Sequence, residues 1–227
     1  MRRKIIFPPV ETANEHGLVA VGGDLEIDTL LRAYQQGIFP WPVTIDHKNK
    51  NLPMTWFSPD PRGVLDFKDL HLSRSFKKFL KNTPFKVTFN KNFSDVINQC
   101  AKTLRRDHSG TWISSEIKDS YTKLFDAGYA YSVEVWEDEK IVAGIYGVAI
   151  GSFISGESMF THTDNASKQG LYYLIRHLES KGLSWIDTQM VTAVVDQFGG
   201  KYISRKEFTN RLKEINWSFS RNRYFQT

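Results

Sequence analysis

The chain has 227 residues, 41% of them hydrophobic and 14% aromatic, with a formal net charge of +5. That apolar fraction excludes a disordered chain, and a single cysteine, Cys100, excludes both an internal disulfide and a cysteine-based zinc site. No stretch approaches the roughly 20 apolar residues of a membrane span, and the basic N-terminus lacks the apolar run of a signal peptide, so a cytoplasmic protein with no membrane partner is expected.

The first 60 or so residues are rich in Gly, Pro and Trp. Asp28 reads as the N-cap of a short helix carrying Leu30, Leu31, Ala33 and Tyr34, with Gly37 as its stop. Ile38-Phe39-Pro40-Trp41-Pro42 reads as a stiff apolar loop, the stretch from Asp46 to Asn51 as exposed and polar, and Trp56 to Arg62 as a rigid turn. A boundary near Arg62 divides the chain into a small N-terminal domain, 1–62, and a main domain, 63–227.

Beyond it, Ser73 caps a helix with Phe76, Phe79 and Leu80 on one face and Arg74, Lys77, Lys78 and Lys81 on the other. Such a basic stripe is a solvated face unless phosphates lie nearby, when it becomes an electrostatic footprint. Phe85 to Phe89 alternates as a strand. Phe93, Val96, Ile97, Cys100, Ala101 and Leu104 repeat at helical spacing, and Arg105-Arg106 ends that helix. A loop from His108 to Ile113 precedes a helix from about Ser115 to Ala127, stopped by Gly128.

Tyr131 to Trp136, Ile141 to Ile150 and Phe153 onward then read as hairpin strands, with Ile150-Gly151-Ser152 as the second turn. Asn165 caps a helix with a Leu171, Leu174, Ile175, Leu178 stripe, and a strand runs from Ser184 to Asp187. Hairpins, a capped helix and a further strand predict an α+β domain.

Glu157 is the most informative residue, because a carboxylate at the end of a buried strand is costly unless it is paired or used. Asp187 and Gln189 are two apart on a strand, which predicts that they share a face and one pocket. Trp41 and Trp112 sit in rigid loops, where an indole either packs or stacks on a base. The six histidines show no metal-ligand spacing, and no Walker, nucleophile-elbow or dinucleotide fingerprint occurs. Neither a metal nor a cofactor is expected.

Several segments gain meaning as an ordered series: Gly17 to Leu25, Ala33 to Trp41, Ser58 to Arg62, Gly110 to Ile113, Ser132 to Trp136, Gly156 to Phe160, Asn165 to Lys168, Asp187-x-Gln189 and Ile203-x-Arg205. In this order they resemble the leucyl/phenylalanyl-tRNA–protein transferases over nearly the whole chain. The resemblance implies a bacterial cytoplasmic enzyme, expected to act as a monomer. It would move Leu, or less often Phe or Met, from aminoacyl-tRNA to the α-amine of proteins with an N-terminal Arg or Lys, which marks them for degradation. It also implies an acetyltransferase-like (GNAT) main domain. Trp41 and Trp112 would hold the aminoacyl-adenosine end, with Glu157, Ser158 and Met159 in the substrate site. Asp187 and Gln189 would be the catalytic pair, and Arg74, Lys77, Lys78 and Lys81 would face the tRNA acceptor stem.

On that reading the Gln189 carbonyl accepts a hydrogen bond from the attacking amine, Asp187 polarises its amide, and Glu157 and Asp187 together supply a negative field. The chain departs from the family pattern where histidines are implied at Phe125, Tyr131 and Val194, and a cysteine at Thr188. The altered stretch from Val191 to Gly200, with Phe198 for Leu, bears on pocket shape and amino-acid preference. An acyl-CoA-dependent N-acetyltransferase would need a glycine-rich pyrophosphate loop, and the turn from Thr161 to Lys168 has no glycine. A non-catalytic tRNA-binding relative is the other alternative.

Overall fold

The computed structural model describes residues 5–42, 53–103, 112–218 and 224–225. In the N-terminal part, β1 (Leu18–Val21), α1 (Ile27–Gln35), β2 (Phe39–Pro40) and β3 (Thr55–Phe57) follow one another. The three strands pair antiparallel in the order β1-β3-β2. Segments expected as loops and a turn are therefore short strands, with Trp56 fully buried between them and its indole N–H donating to Gly22 O at 2.8 Å. The cap of α1 also differs. Asp28 lies inside the first turn, and it is Asp24 whose carboxylate accepts from the Glu26 N–H and the Thr29 hydroxyl. The stretch from Asp46 to Asn51, and the expected helix end and loop from Leu104 to Thr111, lie outside the described residues.

The remaining elements are β4 (Arg62–Asp66), α2 (Arg74–Asn82), β5 (Lys86–Phe89), α3 (Phe93–Lys102), α4 (Ser115–Asp126), β6 (Ala130–Glu137), β7 (Lys140–Ile150), β8 (Phe153–Thr161), α5 (Ala166–Ser180), β9 (Trp185–Gln189), α6 (Ala193–Gln197), β10 (Lys201–Ile203) and α7 (Arg205–Lys213). Side chains of Ser73, Asn92, Ser114, Thr192 and Ser204 each accept the backbone N–H three residues on, the expected device for starting a helix. Asn165 works differently: it makes no side-chain cap and instead adopts the left-handed region at φ 63°, which Asn tolerates.

Among the described residues, seven strands form one sheet in the order β10-β4-β9-β8-β7-β6-β5. All neighbours are antiparallel except β8 and β9, which run parallel with Ser155 opposite Asp187. The fold is α+β, as the sequence predicts. The β7–β8 register slips beside Gly147, where a Cβ would lie 2.0 Å from Ser155 O. That slip lies next to Ser155, two residues before Glu157.

Residues from both sides of Arg62 share one core, in which Phe7, Leu30 and Tyr34 pack with Tyr121, Phe153 and Phe208. Arg205 ties the two ends of the chain, donating to Ser58 O at 2.9 Å and Val10 O at 3.1 Å. A second buried carboxylate, Glu134, organises the β5–α3 turn: it accepts from Ser132, Thr88 and the backbone N–H groups of Lys91 and Asn92. Glu134→Ala strands these donors. It is expected to lower unfolding free energy by about 2–4 kcal/mol, read as a lower urea midpoint at unchanged slope.

Candidate active site

Strands β7, β8 and β9, with α5 and α6, enclose a cavity of about 430 Å³, inside the range of roughly 300–1,000 Å³ typical of small-molecule sites. Ile145, Met159, Leu171, Leu174, Ile186 and Val194 give it an apolar wall, while Glu157, Ser158, Thr188 and Gln189 supply the polar groups. Exposed lining residues mark where it opens: Thr103, Met190, Thr192 and Ala193. A larger depression of about 680 Å³ lies around the other end of β9, but its Asp66 is already paired with Lys201 and Arg211.

Gln189 ends β9 in an unusual conformation. Its φ is 60°, and Met190 N donates to Thr188 O at 2.5 Å, forming a γ-turn with positive central φ. Such backbone costs of order 1–3 kcal/mol and persists only where its surroundings fix it. Two features fix it here. The Asp187 carboxylate accepts the Gln189 N–H at 2.9 Å. Gly63 on the neighbouring strand leaves room for the turn, since a Cβ there would lie 2.6 Å from the Met190 carbonyl carbon.

The turn overrides the strand alternation that predicted a shared face for Asp187 and Gln189. Ile186 and Thr188 line the cavity, Gln189 is turned back to join them, and Asp187 does not line it. Asp187 is fully buried and meets Arg62 through two bonds, Nε to Oδ1 at 2.9 Å and Nη2 to Oδ2 at 2.7 Å. The remaining Arg62 Nη1 donates to Gly37 O at 3.0 Å, and the guanidinium lies between the rings of Phe39 and Phe208 at 4.7 and 4.4 Å.

Two expectations are thereby corrected. Asp187 binds the backbone of Gln189 rather than polarising its side-chain amide. Its charge is paired with the Arg62 guanidinium, and the carboxylate does not face the cavity.

The amide of Gln189 is held by Glu157. Glu157 Oε1 accepts from Gln189 Nε2 at 3.0 Å and from the Ser155 hydroxyl at 2.6 Å. Glu157 Oε2 receives a longer bond, 3.4 Å, from Tyr121, whose hydroxyl lies 2.5 Å from that of Tyr34. A carboxylate only accepts, so Gln189 must show it the NH₂ group, and its carbonyl oxygen is turned away from Glu157. Burial pushes the Glu157 pKa up; bonds from Ser155, Gln189 and Tyr34 oppose this, and the charge of Asp187 adds to it. Burial, reinforced by the Glu157 charge, raises Tyr34 and Tyr121 well above the ordinary tyrosine value, so both are neutral hydroxyls.

Of the other sequence-selected residues, Ser158, Met159 and Trp41 line the cavity with Glu157 and Gln189. Trp112 is buried behind Trp41, the two indoles stacked at 5.8 Å and 18°. Arg74, Lys77, Lys78 and Lys81 are exposed on α2 and none of them lines the cavity. Phe198 does not reach it either: its ring packs on Phe76 at 5.6 Å, so the cavity is shaped instead by Val194 and Val195.

Where histidines are implied, Phe125 stacks on Phe93, and the Tyr131 hydroxyl donates to Ser155 O at 3.1 Å. Arg62, Tyr34, Tyr121 and Ser155 were not selected from sequence. The available signals were an arginine entering the apolar segment Gly63-Val64-Leu65 and a hydroxyl two residues before Glu157. Among the described residues, no cluster of His, Cys, Asp or Glu could hold a metal ion. No described helix is long and apolar enough to cross a membrane.

A cavity with an apolar wall and a hydrogen-bonded Gln–Glu pair at its polar end can hold an acyl group beside a side chain that orients a nucleophile, which fits an acyl-transfer enzyme. Residues 64–213 match the family model for leucyl/phenylalanyl-tRNA protein transferase, and residues 23–60 match that family's N-terminal domain. The chain belongs to this family. It is 44% identical to the leucyl/phenylalanyl-tRNA–protein transferase of Pseudoalteromonas atlantica, over 93% of this chain and 88% of that one. It is 42% identical to that of Flavobacterium johnsoniae, over 93% of this chain and 97% of that one. Among solved structures it is similar to L-PGS from Bacillus licheniformis at 13% identity and a TM-score of 0.43, covering 68% of this chain and 56% of the other.

Proposed function

We propose that the protein transfers Leu, and also Phe or Met, from aminoacyl-tRNA to the α-amine of polypeptides that begin with Arg or Lys. In this reading it acts in the cytoplasm, as a monomer, with an N-terminal domain that ends near Arg62. The observation that carries the reading is the Glu157–Gln189 pair at the polar end of a cavity with an apolar wall.

The donor is an activated ester, so no strong base is needed. An α-amine with pKa near 7.7–8.0 is partly neutral at pH 7. The Gln189 carbonyl accepts a hydrogen bond from that amine and aims its lone pair at the ester carbon. A C–N bond forms, the C–O bond to the tRNA ribose breaks, and the amine proton ends on the leaving oxygen. Positioning supplies much of the rate.

Glu157 fixes the Gln189 amide and provides the uncompensated carboxylate that favours a cationic acceptor. Asp187 and Arg62 are positioning residues that set the Gln189 backbone. The Trp41–Trp112 stack supports a role in receiving the terminal adenosine, and the α2 cations support contact with the acceptor stem.

The test is transfer of labelled Leu from Leu-tRNA to an Arg-ended peptide, with Gln189→Ala in parallel and acetyl-CoA as the competing donor. Transfer by the wild type and its loss in the variant are expected. Acylation from acetyl-CoA, or tRNA binding with no transfer, would sink the reading.

A further inference from the structure

The loop after Gln189 is strongly apolar for its exposure. Met190, Val191, Ala193 and Val194 all lie at least partly in solvent, and no charged residue occurs from Thr188 to Val195. Met190 is 38% exposed, and Tyr202, 52% exposed, joins it from the edge strand β10. The Tyr202 hydroxyl accepts the Val191 N–H at 3.2 Å. Its pairing partner on β4 is Gly63, the residue over which the Met190 backbone passes. Met190, Ala193 and Val194 also line the cavity, so this apolar surface is continuous with it. Exposed apolar residues that adjoin a cavity offer a contact for a ligand that extends beyond it.

A tRNA does not fit this surface, because phosphates are bound by Lys and Arg, and the loop has neither. The polypeptide acceptor fits. Its amine must reach the Gln189 side chain, and its next Cα lies about 3.8 Å from the first. Met190, which lines the same cavity beside Gln189 and is exposed at its opening, lies within reach of that next residue.

We propose that Met190 and Tyr202 form a subsite for the second residue of the acceptor, selecting a large apolar or aromatic side chain there. The proposal rests on the acceptor reading of the Gln189 site given above. Burying such a side chain against this patch predicts about a tenfold preference in kcat/KM over glycine.

The experiment compares peptides beginning Arg-Phe, Arg-Leu, Arg-Gly and Arg-Asp, otherwise identical, as acceptors for Leu from Leu-tRNA. The wild type, Met190→Ser, Tyr202→Ala and Tyr202→Phe are each assayed with all four. Expected is a wild-type Phe-to-Gly ratio near ten that falls to about one in Met190→Ser and Tyr202→Ala, whatever their absolute rates, and is largely kept in Tyr202→Phe. A wild type indifferent to the second residue, or variants that slow all four peptides in the same proportion, would overturn the subsite. A wild type that modifies none of the four would instead remove the acceptor reading beneath it.

Discussion

Arg62→Ala is expected to cost about 3–5 kcal/mol of unfolding free energy, the size of the penalty when one partner of a buried ion pair is removed. Asp187 would remain fully buried with both carboxylate oxygens deprived of the guanidinium. The Gly37 carbonyl would lose its donor, and the rings of Phe39 and Phe208 would lose the cation between them. Against a typical domain stability of roughly 5–15 kcal/mol, that is a large fraction.

The paired replacement Arg62→Met with Asp187→Leu is expected to recover most of the stability, since an apolar pair of similar volume avoids the desolvation cost. It should not recover transfer, because the Gln189 N–H loses its acceptor and the strained turn at φ 60° is released. Urea unfolding and Leu transfer, measured on the same samples, separate the two effects. A stable Arg62→Ala single variant, or a double variant with wild-type transfer, would refute this account of the pair.

Glu157→Gln is expected to slow transfer about 5- to 13-fold, because its carbonyl still accepts from the Gln189 amide but a hydrogen bond to a neutral group contributes about 1–1.5 kcal/mol less than one to a charged group. The same change should alter the pH dependence of stability. Burial raises the Glu157 pKa above its ordinary 4.5. Between those two values the folded protein holds a proton that the unfolded chain has released. The stabilisation is therefore complete at low pH and is lost as pH rises through the folded-state pKa. Glu157→Gln lacks that loss, so it should gain stability relative to the wild type as pH rises through the window. Transfer by the wild type should also have an acid limb from Glu157 that is missing in the variant, while the limb from the acceptor amine persists in both. Parallel pH–stability curves for the two proteins would contradict the assignment.

Residues with a single solvent-facing side were legible in the sequence. The α3 stripe of Phe93, Val96, Ile97 and Cys100 and the cap of Ser73 are local signals, and the structure keeps them. β4 was missed because all five of its residues are buried, so no alternation is visible and Arg62 reads as a turn residue. β2 and β3 hid in a Pro- and Trp-rich segment whose pairing is set by tertiary contacts.

In the site, Gln189 is marked by polarity at a strand end, whereas Glu157, expected at a strand end, lies in the middle of β8, where it is the strand's single charged residue. Asp187 was assigned the wrong side because alternation assumes extended backbone, and Gln189 leaves it. The Tyr34–Tyr121–Glu157 chain joins α1, α4 and β8 across separations of 36 and 87 residues, which no local pattern encodes.

The Arg62–Asp187 pair has a consequence for how the protein is made. Its members are 125 residues apart, and Arg205 reaches back 195 residues to Val10. At a synthesis rate of about 5–20 residues per second, Arg62 waits for its carboxylate for roughly 6–25 s. Helices can form during that time, but the turn at Gln189 cannot be set before Asp187 and Gln189 have been made. Closing such long loops is slow compared with local helix formation. A nascent chain therefore holds no assembled site until β9 has been made and has paired with β4.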